Sequence, residues 1–253
     1  MYIIKVYMKH FFTHKEEIPE DMGYGQFSLT HFLLLILSFL LIAAYIRGYI
    51  KADIPLRILM RRITALTLIM IEAIKMILIG RSEVKLTEYL PLEICSFAAY
   101  FIVIDSFRYD NTVFPGMLLT LFLPAAVMAI LFPTTSDLPV FNFYVIHQFL
   151  YHDLIIAYIL ARFLNREIPL TYPGVWKSIA IILLLAAVIY LIDVRFDKSF
   201  MFLRDTYGNP LLQMIENTTG SGIRYAAGLV IFCIFMIHVF YALFTLISLL
   251  ILS

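Results

Sequence analysis

The sequence is poor in charge and in cysteine, and each shortage excludes a class of protein. Only 15% of the 253 residues are charged, whereas a typical soluble domain has about 25%. The formal net charge is +1, so the charge balance gives no reason to expect a nucleic-acid partner. The two cysteines, Cys95 and Cys233, both lie in apolar stretches and define no disulfide framework.

Further absences concern cofactors and other membrane architectures. The sequence contains no glycine-rich phosphate-binding motif, so no cofactor is expected, and no metal site is predicted. The short alternating apolar segments that form β-barrels are also absent. No cleavable signal peptide is expected, because residues 1–28 are mostly polar or mixed and precede the first long apolar run.

Long apolar runs dominate the rest of the chain. Hydrophobic residues make up 62% of it, and the mean hydropathy is +0.91. The runs reach about 18 residues or more, enough for a helix to cross a hydrocarbon layer of ~30 Å. The sequence therefore predicts an all-α fold, a polytopic integral membrane helical bundle of about seven transmembrane helices. The predicted spans cover residues 29–46, 63–79, 89–105, 114–131, 141–163, 175–192 and 223–251.

The remaining segments are organised around these spans. Residues 1–28 are predicted to form a polar, interfacial tail, and residues 29–253 a single transmembrane helical domain. Pro91 is expected in the first turn of the third helix, and Pro124 is expected to kink the fourth. Basic residues after the first and fifth spans favour an external N-terminus, whereas those in the longest connection, residues 193–222, favour the reverse.

The predicted topology gathers reactive side chains at one side of the membrane. With seven spans, the third, fifth and seventh helices all begin on the same side, and the longest connection joins there too. Ionisable groups inside a bilayer are costly when unpaired, so they usually face a bundle interior and mark function. The residues gathered in this way are Glu93, Cys95, His147, His152 and Asp153.

A thiol near an imidazole has a direct chemical use. The imidazole accepts the thiol proton, and the thiolate then attacks an acyl carbonyl. A carboxylate from Glu93 or Asp153 would fix the imidazole tautomer, although Asp153 points about 100° away from His152 on an α-helix. The alternative is that Cys95 is simply a small core residue.

A second pair of ionisable residues lies in the predicted second span. Glu72 and Lys75 are three residues apart, so they meet on one helix face and neutralise each other. The alternative is a proton or ion pathway through them.

Three motifs resemble those of the YwaF-like bacterial integral membrane proteins. Residues 90–96 read Leu-Pro-Leu-Glu-Ile-Cys-Ser, similar to that family's Leu-Pro-Leu-His-Leu-Cys-Ser. Residues 149–155 resemble its phenylalanine-rich run followed by His-Gly-Leu-Ile, and residues 199–203 resemble its Asn-Tyr-Met-Tyr-Leu, with a downstream Pro-Leu-Leu. The chain departs from these motifs at Glu93, where the family has histidine, and at Asp153, where it has glycine.

The resemblance implies a lipid-modifying activity. The family is grouped with eukaryotic transmembrane protein 164, an acyltransferase that moves fatty acyl chains between phospholipids. It implies that Cys95 is the acyl acceptor and His152 the base, with Glu93 or His147 orienting it. It also implies membrane lipids as partners, a lipid acyl substrate and a multi-pass location in the bacterial cytoplasmic membrane. The implied substrate-binding residues near the lipid entrance are Phe200, Met201, Phe202 and Asp153.

Two other functions stay open on the sequence alone. A transporter or a lipid- or solute-binding protein would use Glu72, Lys75, Glu93 and His152 to line a pathway. A scaffold subunit of a larger complex would need none of these side chains, and the sequence does not define an oligomeric state. Replacing Cys95 with serine separates these alternatives from a thiol-dependent enzyme.

Overall fold

The architecture is that of a computed structural model, which describes residues 10–108 and 114–251. Within those ranges the chain forms α-helices and short 3-10 turns and no β-strand, so the all-α prediction is confirmed. The eight α-helices are α1 (Leu29–Lys51), α2 (Ile54–Ile79), α3 (Ile94–Phe107), α4 (Phe114–Leu131), α5 (Phe143–Leu164), α6 (Tyr172–Phe196), α7 (Pro210–Thr219) and α8 (Ile223–Ile251).

Five of these helices are long and apolar enough to cross a membrane: α1, α4, α5, α6 and α8. Helix α2 has 26 residues but carries five charged side chains. Helix α3 is apolar but has only 14 residues, about 21 Å at 1.5 Å per residue. Together the seven helices occupy the seven predicted spans, which is compatible with the expected number. Helix α7 is an additional short helix within residues 193–222, where a continuous connection was predicted.

Helix α2 begins earlier than predicted, and helix α3 begins later. Helix α2 begins at Ile54 rather than near residue 63, since the Asp53 side chain accepts a hydrogen bond from the Leu56 amide. Three arginines assigned to the preceding loop therefore lie on this helix. Helix α3 begins at Ile94 with Glu93 at its N-cap. The prediction that Pro91 lies in the first helical turn is therefore wrong.

Helix α4 is irregular before its proline. Residues Leu118–Phe122 form a π-helical turn, and regular α-helix resumes at Leu123. Pro124 has no N–H to donate, so the turn before it loses an α-helical hydrogen bond and the wider π turn is tolerated there. The irregularity predicted at Pro124 thus lies in the turn that precedes it.

Helix α5 is the centre of the bundle. It packs against α1, α2, α3 and α4, while α8 packs against α6, α7 and α4. Most side chains of α5 are buried. In contrast, α1, α6 and α8 present exposed leucine, isoleucine and phenylalanine side chains. A surface of that kind suits lipid rather than water.

The helices define two sides of the bundle. The tail side holds the tail, the starts of α1, α3 and α5, and the ends of α2, α4 and α6. There the His31 ring contacts the Ile130 carbonyl at 3.0 Å, and the Phe143 amide donates to the Phe11 carbonyl at 2.7 Å. The basic side holds the opposite helix ends, including Lys51, Arg108 and the α5–α6 connection. The described part of the tail, residues 10–28, is therefore joined to the bundle, and residues 1–9 of the predicted tail lie outside the described residues.

Candidate functional site

The start of α3 is held under a short loop by two carboxylates. Glu93 accepts a hydrogen bond from the Met201 amide at 2.8 Å. Asp193, near the end of α6, accepts one from the Phe200 amide, with both oxygens at 3.0 Å. Met201 and Phe202 have φ values of 53° and 59°, in the left-handed region that is costly for residues other than glycine. The two carboxylates therefore fix a strained loop above the first turn of α3.

Cys95 lies in that first turn as a buried, free thiol. Its backbone carbonyl accepts a hydrogen bond from the Tyr151 hydroxyl at 3.4 Å. Tyr151 belongs to α5 and is itself buried. The sequence did not indicate Tyr151, because a tyrosine in an aromatic-rich helix is usually a packing residue.

Tyr151 connects Cys95 to both candidate histidines. The His147 ring stacks on the Tyr151 ring with centroids 5.2 Å apart and an interplanar angle of 15°. The His152 ring meets it edge to face at 5.7 Å. Residues 147 and 151 are four apart and share one helix face. Tyr151 thus contacts the Cys95 backbone and both imidazole rings, and a joint role for Cys95, His147 and His152 stays a prediction.

His152 has a defined hydrogen bond inside its own helix. Its Nδ1 lies 2.5 Å from the Gln148 carbonyl oxygen. A carbonyl only accepts, so Nδ1 carries the proton and Nε2 of the neutral ring is left as an acceptor. Between the described side chains, no hydrogen bond joins His152 to the Cys95 thiol or to Glu93. Glu93 faces the loop instead, so its suggested role in orienting His152 stays a prediction.

The carboxylate beside His147 comes from α2 and was not anticipated. Glu72 places Oε2 at 3.1 Å from His147 Nε2. Its other oxygen, Oε1, lies 2.5 Å from Lys75 Nζ, as the spacing of three predicted. The spacing within α2 predicted the contact between Glu72 and Lys75. It could not predict the contact between Glu72 and His147, because His147 lies on another helix.

Asp153 lies apart from these groups. It is four residues from Phe149, whose ring contacts His31 of α1, so helical geometry puts both on the α1 side of α5. The side chain is buried, and within the described ranges its Oδ1 has no hydrogen-bond partner. The suggested substrate-binding role of Asp153 is not supported by contact with the loop at Phe200–Phe202 and stays a prediction.

A second buried polar cluster lies on the basic side, around Asp105 at the end of α3. Asp105 Oδ2 accepts hydrogen bonds from Arg162 and, at 2.5 Å, from the Tyr158 hydroxyl. Arg61 donates to the Asp105 carbonyl at 2.6 Å and lies 3.4 Å from Oδ2. Arg162 also donates to Glu167 at 3.2 Å. Two arginines are thus balanced by two carboxylates in the interior.

This Asp105 cluster joins four helices. Arg61 belongs to α2, Asp105 to α3, and Tyr158 and Arg162 to α5. Helix α1 contributes Tyr49, which donates to Glu167 at 2.8 Å. The sequence placed the arginines in basic loops, and the positive-charge count gave no sign that they are buried. Removal of one partner from such a buried ion pair leaves an uncompensated interior charge and is strongly destabilising.

The tail covers the tail side next to α3 and α5. The His14 ring makes edge contacts with Tyr89 and Tyr144, with centroids 4.6 and 5.3 Å apart. Tyr89 also donates to Glu16 at 3.1 Å. Burial lowers the pKa of His14 from its usual 6.5, although Glu16 acts in the opposite direction. Burial of this contact therefore favours the neutral form of the His14 ring.

The fold and the two clusters define a polytopic helical membrane protein with a thiol, two imidazoles and a carboxylate buried near one side. Among the described side chains, no three metal-ligating residues are grouped closely enough to hold a metal ion. The chain belongs to the TMEM164 family, whose sequence model matches residues 26–248. That range includes all three motifs, so the predicted relation to transmembrane protein 164 is confirmed. No curated protein and no solved structure matches the chain.

Proposed function

We propose that this protein transfers or hydrolyses the acyl chains of membrane lipids through a thioester on Cys95. The observation that carries the proposal is the buried free thiol of Cys95 at the start of α3. The carbonyl of the same residue accepts a hydrogen bond from Tyr151, whose ring contacts both imidazoles. An acyl ester reaches such a place sideways from the bilayer. A thiolate and a neighbouring base are the groups that acyl transfer requires.

In the first half-reaction, His152 Nε2 accepts the proton from the Cys95 thiol. The thiolate attacks the ester carbonyl carbon, and the carbonyl oxygen becomes an oxyanion in the tetrahedral intermediate. The bond from that carbon to the glycerol oxygen then breaks. The leaving oxygen takes the proton from His152, which gives a lysolipid and a thioester on Cys95.

In the second half-reaction, a hydroxyl group attacks the thioester. A lysolipid hydroxyl gives acyl transfer, and water gives hydrolysis. His152 Nε2 accepts the proton of the attacking hydroxyl and returns it to the Cys95 sulfur as the C–S bond breaks. The thiol is regenerated, and no oxidant or reductant is consumed.

The loop at Phe200–Phe202 has a place in this scheme. Phe200 and Met201 are buried and Phe202 is half-buried, so an apolar surface meets the start of α3. Glu93 and Asp193 hold this loop by backbone amides. In the proposed function this surface receives the acyl chain next to Cys95.

The test is the intact mass of the purified full chain after incubation with mixed phospholipids at mildly acidic pH. The wild type is expected to gain an acyl mass that hydroxylamine removes. Cys95→Ser should gain none. Cys233→Ser is the matched control, since Cys233 is the other free thiol and lies on α8, and it should acquire the adduct normally.

The opposite result is equally clear. A well-folded wild type with neither adduct nor lysolipid product would overturn the enzyme proposal. The transport and lipid-binding alternatives would then be tested in vesicles.

A further inference from the structure

Glu72 engages two different partners with its two oxygens. Oε1 contacts Lys75 at 2.5 Å on the same helix, and Oε2 contacts His147 Nε2 at 3.1 Å on α5. The carboxylate is 5% exposed and lies inside a helix of the membrane bundle. Because Lys75 already supplies a countercharge, neutralisation alone does not require the contact with His147.

The contact with Glu72 sets the protonation pattern of His147. An ionised carboxylate only accepts hydrogen bonds, so His147 Nε2 must carry the proton. The neutral ring then has its acceptor at Nδ1. This is the reverse of His152, where the Gln148 carbonyl places the proton on Nδ1. The two imidazoles therefore present different nitrogen atoms as acceptors.

The same contact fixes the direction of the His147 ring. The ring is nearly parallel to that of Tyr151, at 15°. Tyr151 in turn donates to the Cys95 carbonyl. A continuous line of contacts therefore runs from Lys75 through Glu72, His147 and Tyr151 to the first turn of α3.

We propose that Glu72 is a positioning residue, which holds His147 in the Nε2–H tautomer and in its stacked orientation on Tyr151. The inference rests on the proposed acyl transfer by Cys95 and His152, and it adds to that scheme a role for His147, the second imidazole in contact with Tyr151. A carboxylate that fixes the tautomer of an imidazole is a general device of nucleophilic sites. Here the carboxylate is delivered by a different helix, and Lys75 fixes the carboxylate.

The test reads the His147 ring directly, using the full chain labelled with 15N in its six histidines and placed in phospholipid nanodiscs. The His147 signal is assigned by its loss in His147→Gln. At a pH above the ordinary histidine range of about 6.5, the wild type is expected to show the Nε2–H tautomer alone. In Glu72→Gln the Nδ1–H form should appear, because a carboxamide donates as well as accepts.

Acyl-adduct formation on Cys95 is measured on the same samples. Glu72→Gln is expected to lower the rate of adduct formation about 10- to 100-fold. Loss of the base itself would lower that rate more, since a general base contributes about 10²- to 10⁴-fold. Glu72→Asp should restore the Nε2–H tautomer and part of the rate. Glu88→Gln is the matched control, because it removes another Glu–Lys contact on the tail side and should change neither readout.

The outcomes are separable. A single Nε2–H tautomer that persists in folded Glu72→Gln overturns the role of Glu72, whatever the acylation rate. A released tautomer in a protein whose wild type never acylates overturns the proposed function but leaves the positioning of His147 standing. If Glu72→Gln fails to fold, Glu72→Leu with Lys75→Met removes both charges at similar volume, and a tautomer unchanged in that double variant also overturns the proposal.

Discussion

Helix α5 carries two buried polar clusters at its opposite ends, and they differ in what their groups can do. At the basic side, Asp105 is surrounded by arginine and tyrosine donors from α2 and α5. The tail-side cluster has fewer hydrogen bonds of this kind. Glu72 contacts Lys75 and His147, and the Cys95 carbonyl accepts a hydrogen bond from Tyr151. Arginine stays charged at any ordinary pH and offers no acceptor, whereas imidazole and thiol exchange protons.

The two clusters also differ in how far their polar atoms are paired. The Asp105 cluster has two arginines opposite two carboxylates. Among the described residues of that cluster, one buried side-chain atom, Asp105 Oδ1, has no hydrogen-bond partner. The cluster joins α1, α2, α3 and α5. The tail-side cluster instead keeps the Nε2 atom of His152 free as an acceptor. We infer that the first cluster holds the helices and the second performs chemistry.

The largest expected effect comes from removing the centre of the stabilising cluster. Asp105→Ala leaves Arg61 and Arg162 without their shared carboxylate in the interior, which typically costs about 3–5 kcal/mol. Thermal unfolding in detergent measures this loss. Asp197→Asn is the control, because Asp197 is exposed and paired with Arg204 only at the surface, and asparagine tolerates the left-handed backbone at this position. It should change stability by less than about 0.5 kcal/mol. Equal unfolding temperatures for Asp105→Ala and wild type would contradict the assignment.

Each cluster contains a tyrosine whose hydroxyl group donates a hydrogen bond, and the two tyrosines can be compared by substitution. Tyr158→Phe removes a hydrogen bond to the charged Asp105, worth about 1.5–3 kcal/mol, whereas Tyr151→Phe removes one to a carbonyl, worth about 1 kcal/mol. Both variants keep the ring. Tyr158→Phe should therefore lower stability more, and Tyr151→Phe should slow acylation of Cys95 more. Thermal unfolding and adduct formation are measured on both variants. A larger loss of stability in Tyr151→Phe, or a larger loss of acylation in Tyr158→Phe, would contradict the roles assigned to the two clusters.

The sequence predicted the helices and predicted that several candidate residues lie at the same side of the bundle. Long apolar runs identify membrane helices because hydrocarbon thickness fixes their length. The alternation of spans then brings Cys95, His147 and His152 to one side without any contact information. The spacing of Glu72 and Lys75 likewise showed their pairing, since helical geometry is local.

Contacts between helices were not predictable in the same way. The partner of His147 is Glu72 on another helix, and the arginines of the Asp105 cluster looked like loop residues. Their burial depends on α2 beginning at Ile54 and on α3 being short, so that Asp105 reaches the basic side inside the bundle. The start of α2 is capped by Asp53, and the Glu93 side chain before α3 binds the Met201 amide, and hydropathy detects neither contact.

A smaller effect of pH is expected on the docking of the tail at the tail side of the bundle. Because burial lowers the pKa of His14, the detached tail binds more protons than the docked tail below the usual value of 6.5. Docking should therefore be strongest above that pH and weaken as the pH falls. Hydrogen exchange of residues 11–18, corrected for the intrinsic rate, measures it.

The control for the tail is His14→Phe, which keeps an aromatic ring against Tyr89 and Tyr144 but cannot be protonated. Its protection should no longer fall with decreasing pH. If wild type and His14→Phe lose protection in parallel, His14 does not control the tail.

The smallest effect is expected at the exposed ion pair on the tail side. Lys198 donates to Glu88 at 2.9 Å, and this hydrogen bond lowers the pKa of Glu88. The stability it contributes is complete above the ordinary pKa of 4.5 and is lost as the pH falls through the lowered value. Solvent and salt screen such pairs, so Glu88→Gln should cost less than about 1 kcal/mol, with a smaller cost at high salt. Thermal unfolding of Glu88→Gln and Asp105→Ala is compared with that of the wild type. Similar losses of stability in the two variants would show that burial does not set the strength of these ion pairs.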